Sequence, residues 1–105
     1  MGLIIADTNI LIYTLKGLKA VENYINSFEF AVSEISIIEL LGIKDINEIT
    51  LRLRTKLLNS CLTLRYNSYI RDIVIELKQK YAIKIPDALI AATSIHYDIH
   101  FINSR

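Results

Sequence analysis

Three carboxylates stand where the chain changes character: Asp7 closes the apolar run "LIIAD", Glu39 sits in "SEISIIELLG", and Asp87 follows Pro86 in "IPDALIAATSI". Burying an unpaired carboxylate is costly, so a chain that keeps Asp7 in such a run must use its charge or hide it at the rim of the core. Each acid has a purely local explanation. Asp7 suits the N-cap of a helix beginning at Thr8, worth about 1 kcal/mol. Ser36 and Glu39 match the S-x-x-E capping box. Asp87, just behind a proline, complements a helix dipole for roughly 0.3 to 1 kcal/mol. Taken together, they suggest something else. Carboxylates gathered within a few ångströms repel one another, and a hard divalent cation makes the cluster tolerable. Oxygen donors with no nearby Cys or His pair favour magnesium or manganese over zinc. Such ions activate a water and stabilise the charge that develops on a phosphodiester, which is the chemistry of a metal-dependent nuclease.

For the three acids to meet, the elements between them must form one sheet. "LIIAD" (3 to 7) reads as a short buried strand, and "TNILIYTLKG" as a helix stopped by Gly17. Leu18, Val21, Tyr24 or Ile25, and Phe28 recur at helical spacing and predict a second helix. "EFAVS" (29 to 33) is a strand, and "SIIELLG" a helix ending at Gly42. Ile46, Ile49, Leu53 and Leu57 mark another helix, and "CLTLRY" (61 to 66) a third strand. Tyr69, Ile70, Ile73, Val74, Leu77 and Tyr81 line one face of a long helix. Pro86 opens "PDALIAATSIHY", and "IHFI" (99 to 102) is a last strand. Strands separated by helices imply βαβ crossovers, hence a parallel sheet of about four strands covered on both faces, an α/β/α arrangement. Ligands of such sheets bind beyond the carboxyl ends of the strands, and Asp7 lies at one of these ends.

Composition sets the frame. A chain of 105 residues with 52% hydrophobic content suits a single domain with its own core. The lone Cys61 excludes an internal disulfide framework and points to a reducing compartment, with the cytoplasm as the default. No apolar run approaches the roughly 20 residues of a membrane span, and "MGLIIAD" lacks the features of a secretory signal. The net charge of +1 conceals an asymmetry: residues 1–50 carry three Lys/Arg against seven Asp/Glu, residues 51–105 nine against four. An acidic front half and a basic back half suit a metal site beside a polyanion-binding surface, although solvated helix faces would give the same count.

At this point the sequence resembles a family. "ADTNILIY", "SEISIIELLG" and "IPDALIAATSI" look like the three ordered motifs of PIN-domain ribonucleases, especially the VapC-like toxins of toxin–antitoxin pairs, and the resemblance spans essentially the whole chain. It implies a three-layer PIN-like α/β/α fold and a magnesium- or manganese-dependent endoribonuclease. Homodimers are common in the family, and the enzyme is held inactive by a cognate antitoxin. Carried over by motif, Asp7 and Asp87 are principal metal ligands, Glu39 completes the site, and Thr8, Asn9 and Ser36 orient carboxylates or water. One departure stands out. Where the family commonly has Thr-x-Asn/Asp after the final strand, with a fourth acid at or shortly beyond it, this chain has Asn103 and Arg105. Three alternatives stay open: a fourth acid beyond a truncated end, a site that works with three acids, or impaired activity.

Other chemistries fit less well. Haloacid-dehalogenase phosphatases need D-x-D, and Asn9 occupies the second acidic position; a phosphoryl-accepting receiver would want an Asp after its third strand, where Arg65 and Tyr66 stand. The competing reading is a catalytically impaired PIN-fold module that binds an antitoxin or RNA without cleaving, with Leu11, Tyr13 and Leu41 as candidate apolar contacts. His96 and His100 fall in different elements, which argues against a metal pair. Cys61 reads as a buried structural thiol. Tyr13, Tyr24, Tyr69 and Tyr81 fit core or dimer packing, and Arg65, Arg71 and Lys84 are candidates for RNA phosphates.

Overall fold

The computed structural model describes residues 2–17 and 28–102. Its elements are β1 (Gly2–Ala6), α1 (Thr8–Leu15), β2 (Phe28–Ser33), α2 (Glu34–Leu41), α3 (Glu48–Asn59), β3 (Leu62–Leu64), α4 (Ser68–Lys80), α5 (Ile85–Tyr97) and β4 (Phe101–Ile102). The helix expected from Leu18 onward lies outside the described residues, except that Phe28 opens β2 instead of closing a helix. The expected third strand is shorter than "CLTLRY", and the last is reduced to two residues.

The four strands pair in parallel in the order β3-β2-β1-β4. Side chains alternate across the sheet, so Ile4 and Ala6 of β1 join Phe30 and Val32 of β2 on one face, under Ile10, Leu11, Leu40 and Leu58 from α1, α2 and α3. Ile5 and Ala31 point the other way, with Leu64 and Ile90 of α5. A strand buried on both faces has to be apolar at every position, which is why "LIIA" shows no alternation. These two half-cores make the three-layer α/β/α arrangement that the sequence predicts. The chain steps from β1 outward to β2 and β3, then returns to place β4 on the other flank of β1. The reversal of strand order therefore falls between β1 and β4, where α/β sheets open a crevice at their carboxyl ends.

Two glycines shape the helix ends. Gly17 takes a left-handed φ of +67° just past α1, a conformation that costs a side-chain-bearing residue energy. Gly42 ends α2 with its N–H donating to Ile38 O at 2.7 Å, and a Cβ there would lie 2.6 Å from that same oxygen. Backbone must shift to admit it, so Gly42→Ala is expected to cost about 1 to 3 kcal/mol. Chemical denaturation would show this as a lower midpoint with an unchanged slope.

Candidate active site

Asp7 leaves β1 in extended conformation and caps α1: its Oδ1 accepts the Ile10 N–H at 2.8 Å, and the residue is 9% exposed. The local explanation for Asp7 is thus real. The cap fixes the side chain at the mouth of the crevice, with Asp7 among the residues lining it.

The capping-box reading of Ser36 and Glu39 is corrected. Helix α2 begins at Glu34, three residues earlier than that reading requires, with Ser33 as its N-cap. Ser36 and Glu39 consequently lie inside the helix, three apart on one side of it. Both turn toward α1. Thr8 Oγ1 donates to Glu39 Oε1 at 2.6 Å, and the Thr8 and Ser36 hydroxyl oxygens are 3.1 Å apart. Thr8 has one hydroxyl proton and an ionised Glu39 can only accept, so Ser36 is the donor in the second contact. Ser36 is fully buried and Glu39 exposed. The pair of hydroxyls forms a relay that locks the exposed Glu39 to the start of α1.

Asp87 is the third residue of α5, next to Pro86, and is half-buried. Proline pre-sets the first helical turn, which brings Asp87 to the end of the sheet where Asp7 lies. A cleft of about 100 Å³ results, lined by Asp7, Thr8, Asn9, Glu39, Pro86, Asp87 and Ile90. All three predicted acids share it, as do Thr8 and Asn9, while Ser36 sits behind Thr8. The acids line the cleft without forming a closed cage: among the described residues no group of three or more His, Cys, Asp or Glu is arranged to hold a metal ion directly.

Sequence reasoning missed Tyr66. The cap residue Ser33 makes no side-chain cap bond. The Ile35 N–H in the first turn of α2 instead donates to the Tyr66 hydroxyl at 3.1 Å, and that hydroxyl donates to Ser33 Oγ at 3.4 Å. In return the Tyr66 N–H donates to Glu34 Oε2 at 2.9 Å. Burial pushes the Tyr66 phenol above its ordinary pKa, partly offset by the bonds to Ser33 and Ile35, with Glu34 and Glu39 adding to the rise. No local signal announces such a bond between residues 31 apart, and Ser33 before Glu34 reads in the sequence as an ordinary N-cap.

Other expectations resolve individually. His96 stacks on Tyr69 at 5.7 Å and 10° and meets Asn67 Nδ2 through Nε2 at 3.1 Å, far in role from a metal ligand. Tyr13 packs against the core, whereas Tyr69 and Tyr81 are exposed, so they are not core residues; Tyr24 lies outside the described residues. Leu11 is fully buried, and Tyr13 and Leu41 are packed against the core, so none is free apolar surface. Ile38, Ile49 and Leu53 are exposed in their place. Cys61 is half-buried, its thiol donating to Leu57 O at 3.4 Å and pushed up by burial, as an inert structural cysteine should be. Arg65 and Lys84 are exposed, and Arg71 pairs with Asp72. Among the described residues no helix is long and apolar enough to cross a membrane.

A parallel α/β/α sheet with carboxylates converging at its point of strand reversal defines a class, and comparison names it. The PIN domain family model matches residues 4–105. The chain belongs to the PIN-domain family. Among solved structures it is similar to a toxin–antitoxin complex from Klebsiella pneumoniae, with 25% identity and a TM-score of 0.84 over 97% of this chain and 86% of that one. It is similar in fold to VapBC2 from Rickettsia felis bound to a promoter DNA fragment, with 21% identity and a TM-score of 0.80 over 98% and 88% of the two chains. DNA-bound VapBC from Salmonella typhimurium gives 24% and 0.72 over 90% and 80%. The fold is VapC-like. Among curated protein sequences no match was found.

Proposed function

We propose that the chain is a divalent-metal-dependent endoribonuclease and the toxin of a toxin–antitoxin pair. The observation that carries the proposal is the cleft at the carboxyl edge of the sheet, into which three distant stretches of sequence deliver Asp7, Glu39 and Asp87. The donor set suits magnesium or manganese, being all oxygen. Magnesium commonly keeps several waters and binds through one or two carboxylates, so an open acid-lined cleft fits it without a closed cage. Asp7 and Asp87 would hold the ion, with Glu39 completing the set. When bound, the ion would activate a water and neutralise charge on the phosphodiester. The protein's part is positioning: the cap bond fixes Asp7, and the relay from Ser36 through Thr8 fixes Glu39, with Asn9 beside them. An antitoxin partner, homodimer formation and a cytoplasmic location belong to the same proposal. The antitoxin partner is supported by the toxin–antitoxin assembly among the structures this chain resembles and by the exposed Ile38, Ile49 and Leu53 on α2 and α3.

Asn103 and Arg105, standing where the family commonly carries Thr and Asn or Asp, favour a second reading: a catalytically impaired module that binds antitoxin or RNA without cleaving it. One assay separates the two. The purified chain is incubated with structured RNA in magnesium, in manganese and in chelator, beside an Asp7→Asn control. Metal-dependent cleavage that disappears in the control supports the nuclease; equal inertness of both proteins supports the binding module.

A further inference from the structure

Glu39 reaches the cleft on a helix whose first turn lacks its own side-chain cap, and the group that supplies one comes from the segment after β3, the neighbour of β2 in the sheet. We infer that Tyr66 is a positioning residue for the cleft, holding the amino-terminal turn of α2 so that Ser36 and Glu39 meet Thr8. The inference rests on the nuclease reading above.

The geometry has two arms running in opposite directions. The phenol oxygen accepts the Ile35 N–H at 3.1 Å, and the Tyr66 N–H donates to Glu34 Oε2 at 2.9 Å. A helix leaves its first N–H groups without internal partners, and a distant acceptor that takes one ties the helix to whatever carries that acceptor. Here the carrier is the segment that follows β3, two residues past a strand paired to β2 in the register Ser33↔Leu64. The sheet edge thus fixes Tyr66 and Tyr66 fixes the first turn of α2, which presents Ser36 to Thr8 at 3.1 Å, and about one turn beyond Ile35 the helix presents Glu39 to Thr8 at 2.6 Å. Glu39 is exposed and has little packing of its own to hold it. Small displacements of such a group are costly to catalysis: about 1 Å of misplacement can lower a rate by about a hundredfold.

Tyr66→Phe keeps the ring and removes the acceptor. It should raise hydrogen exchange at the Ile35 amide and shift the Thr8, Ser36 and Glu39 amide resonances. It should lower kcat for RNA by roughly tenfold or more with KM within about twofold, and weaken manganese binding measured by calorimetry several-fold. Glu34→Ala, which cuts the other arm, should move the same quantities in the same direction. Tyr81→Phe is the control, because Tyr81 is exposed at the carboxyl end of α4, beside Ile73 and Ile95 and not beside Tyr66; it should leave Thr8 and Glu39 resonances, kcat and manganese affinity unchanged. If Tyr66→Phe frees the Ile35 amide yet leaves the Thr8 and Glu39 resonances as in the wild type, Tyr66 is a cap and nothing more, and the inference is overturned. Equal changes in the Tyr81→Phe protein would overturn it too. Failure of the nuclease reading looks different: the wild type is inert, or Asp7→Asn cleaves as well as the wild type, while the resonances still decide what Tyr66 positions.

Discussion

Asp7→Asn is expected to lower metal-dependent RNA cleavage by at least about a hundredfold while leaving the melting temperature within roughly 2 °C of the wild type. The two halves of this expectation come from two jobs done by one side chain. As an N-cap, Asp7 gives Oδ1 to the Ile10 N–H. An amide oxygen does this as well as a carboxylate oxygen, and Asn ranks with Asp at N-caps. As a proposed metal ligand, Asp7 supplies negative charge, which Asn does not. Asp7→Ala removes both functions. It should be as inactive as Asp7→Asn and in addition lose about 0.5 to 2 kcal/mol, a drop of roughly 4 to 8 °C per kcal/mol for a domain of this size. Thermal unfolding of the three proteins beside the cleavage assay reads both quantities. An active Asp7→Asn protein would reduce Asp7 to its cap and remove the principal residue of the proposed site.

The same residue shows how far the sequence could be read. Asp7 between an apolar run and Thr8 is a local signal, since strand end, cap and helix start all lie within a few residues, and the structure has each of them there. Pro86 and Asp87 are equally local. The parallel sheet was legible because alternating strands and helices of these lengths leave few other topologies. Ser36 and Glu39 were read as opening a helix, whereas they lie inside one that starts at Glu34. S-x-x-E marks a helix start when the serine is the cap, yet the same spacing also sets two residues on one side of a helix already under way. Choosing between these requires knowing that α2 starts at Glu34, and that start is stabilised by Tyr66, 31 positions from Ile35. Helical spacing likewise gives a face without saying what covers it. Tyr69 and Tyr81 share the apolar spacing of Ile70, which is fully buried, yet both are exposed. Contacts between distant residues decide these cases, and one sequence does not display them.

Asp87→Asn separates a metal site from a helix cap by a difference in stability that changes sign with metal. In the metal-free protein three carboxylates share one small cleft, and Asp7 is buried among them. Removing one like charge relieves the other two. Against this stands the lost attraction between Asp87 and the amino end of α5, about 0.3 to 1 kcal/mol. The repulsion involves two neighbours, one of them buried and thus weakly screened. The metal-free variant should therefore be as stable as the wild type or more stable. Manganese reverses the order. A ligand that binds only the folded state stabilises it by about 2.7 kcal/mol at a hundredfold excess over its Kd, which for this domain is roughly 10 °C or more. The wild type should gain that increment, and the variant should gain little. Cleavage should fall in parallel, by about a hundredfold or more. The measurement is a pair of melting curves for each protein, in chelator and in manganese. A variant clearly less stable than the wild type in chelator, and no further behind in manganese, would mean that Asp87 serves α5 and not an ion.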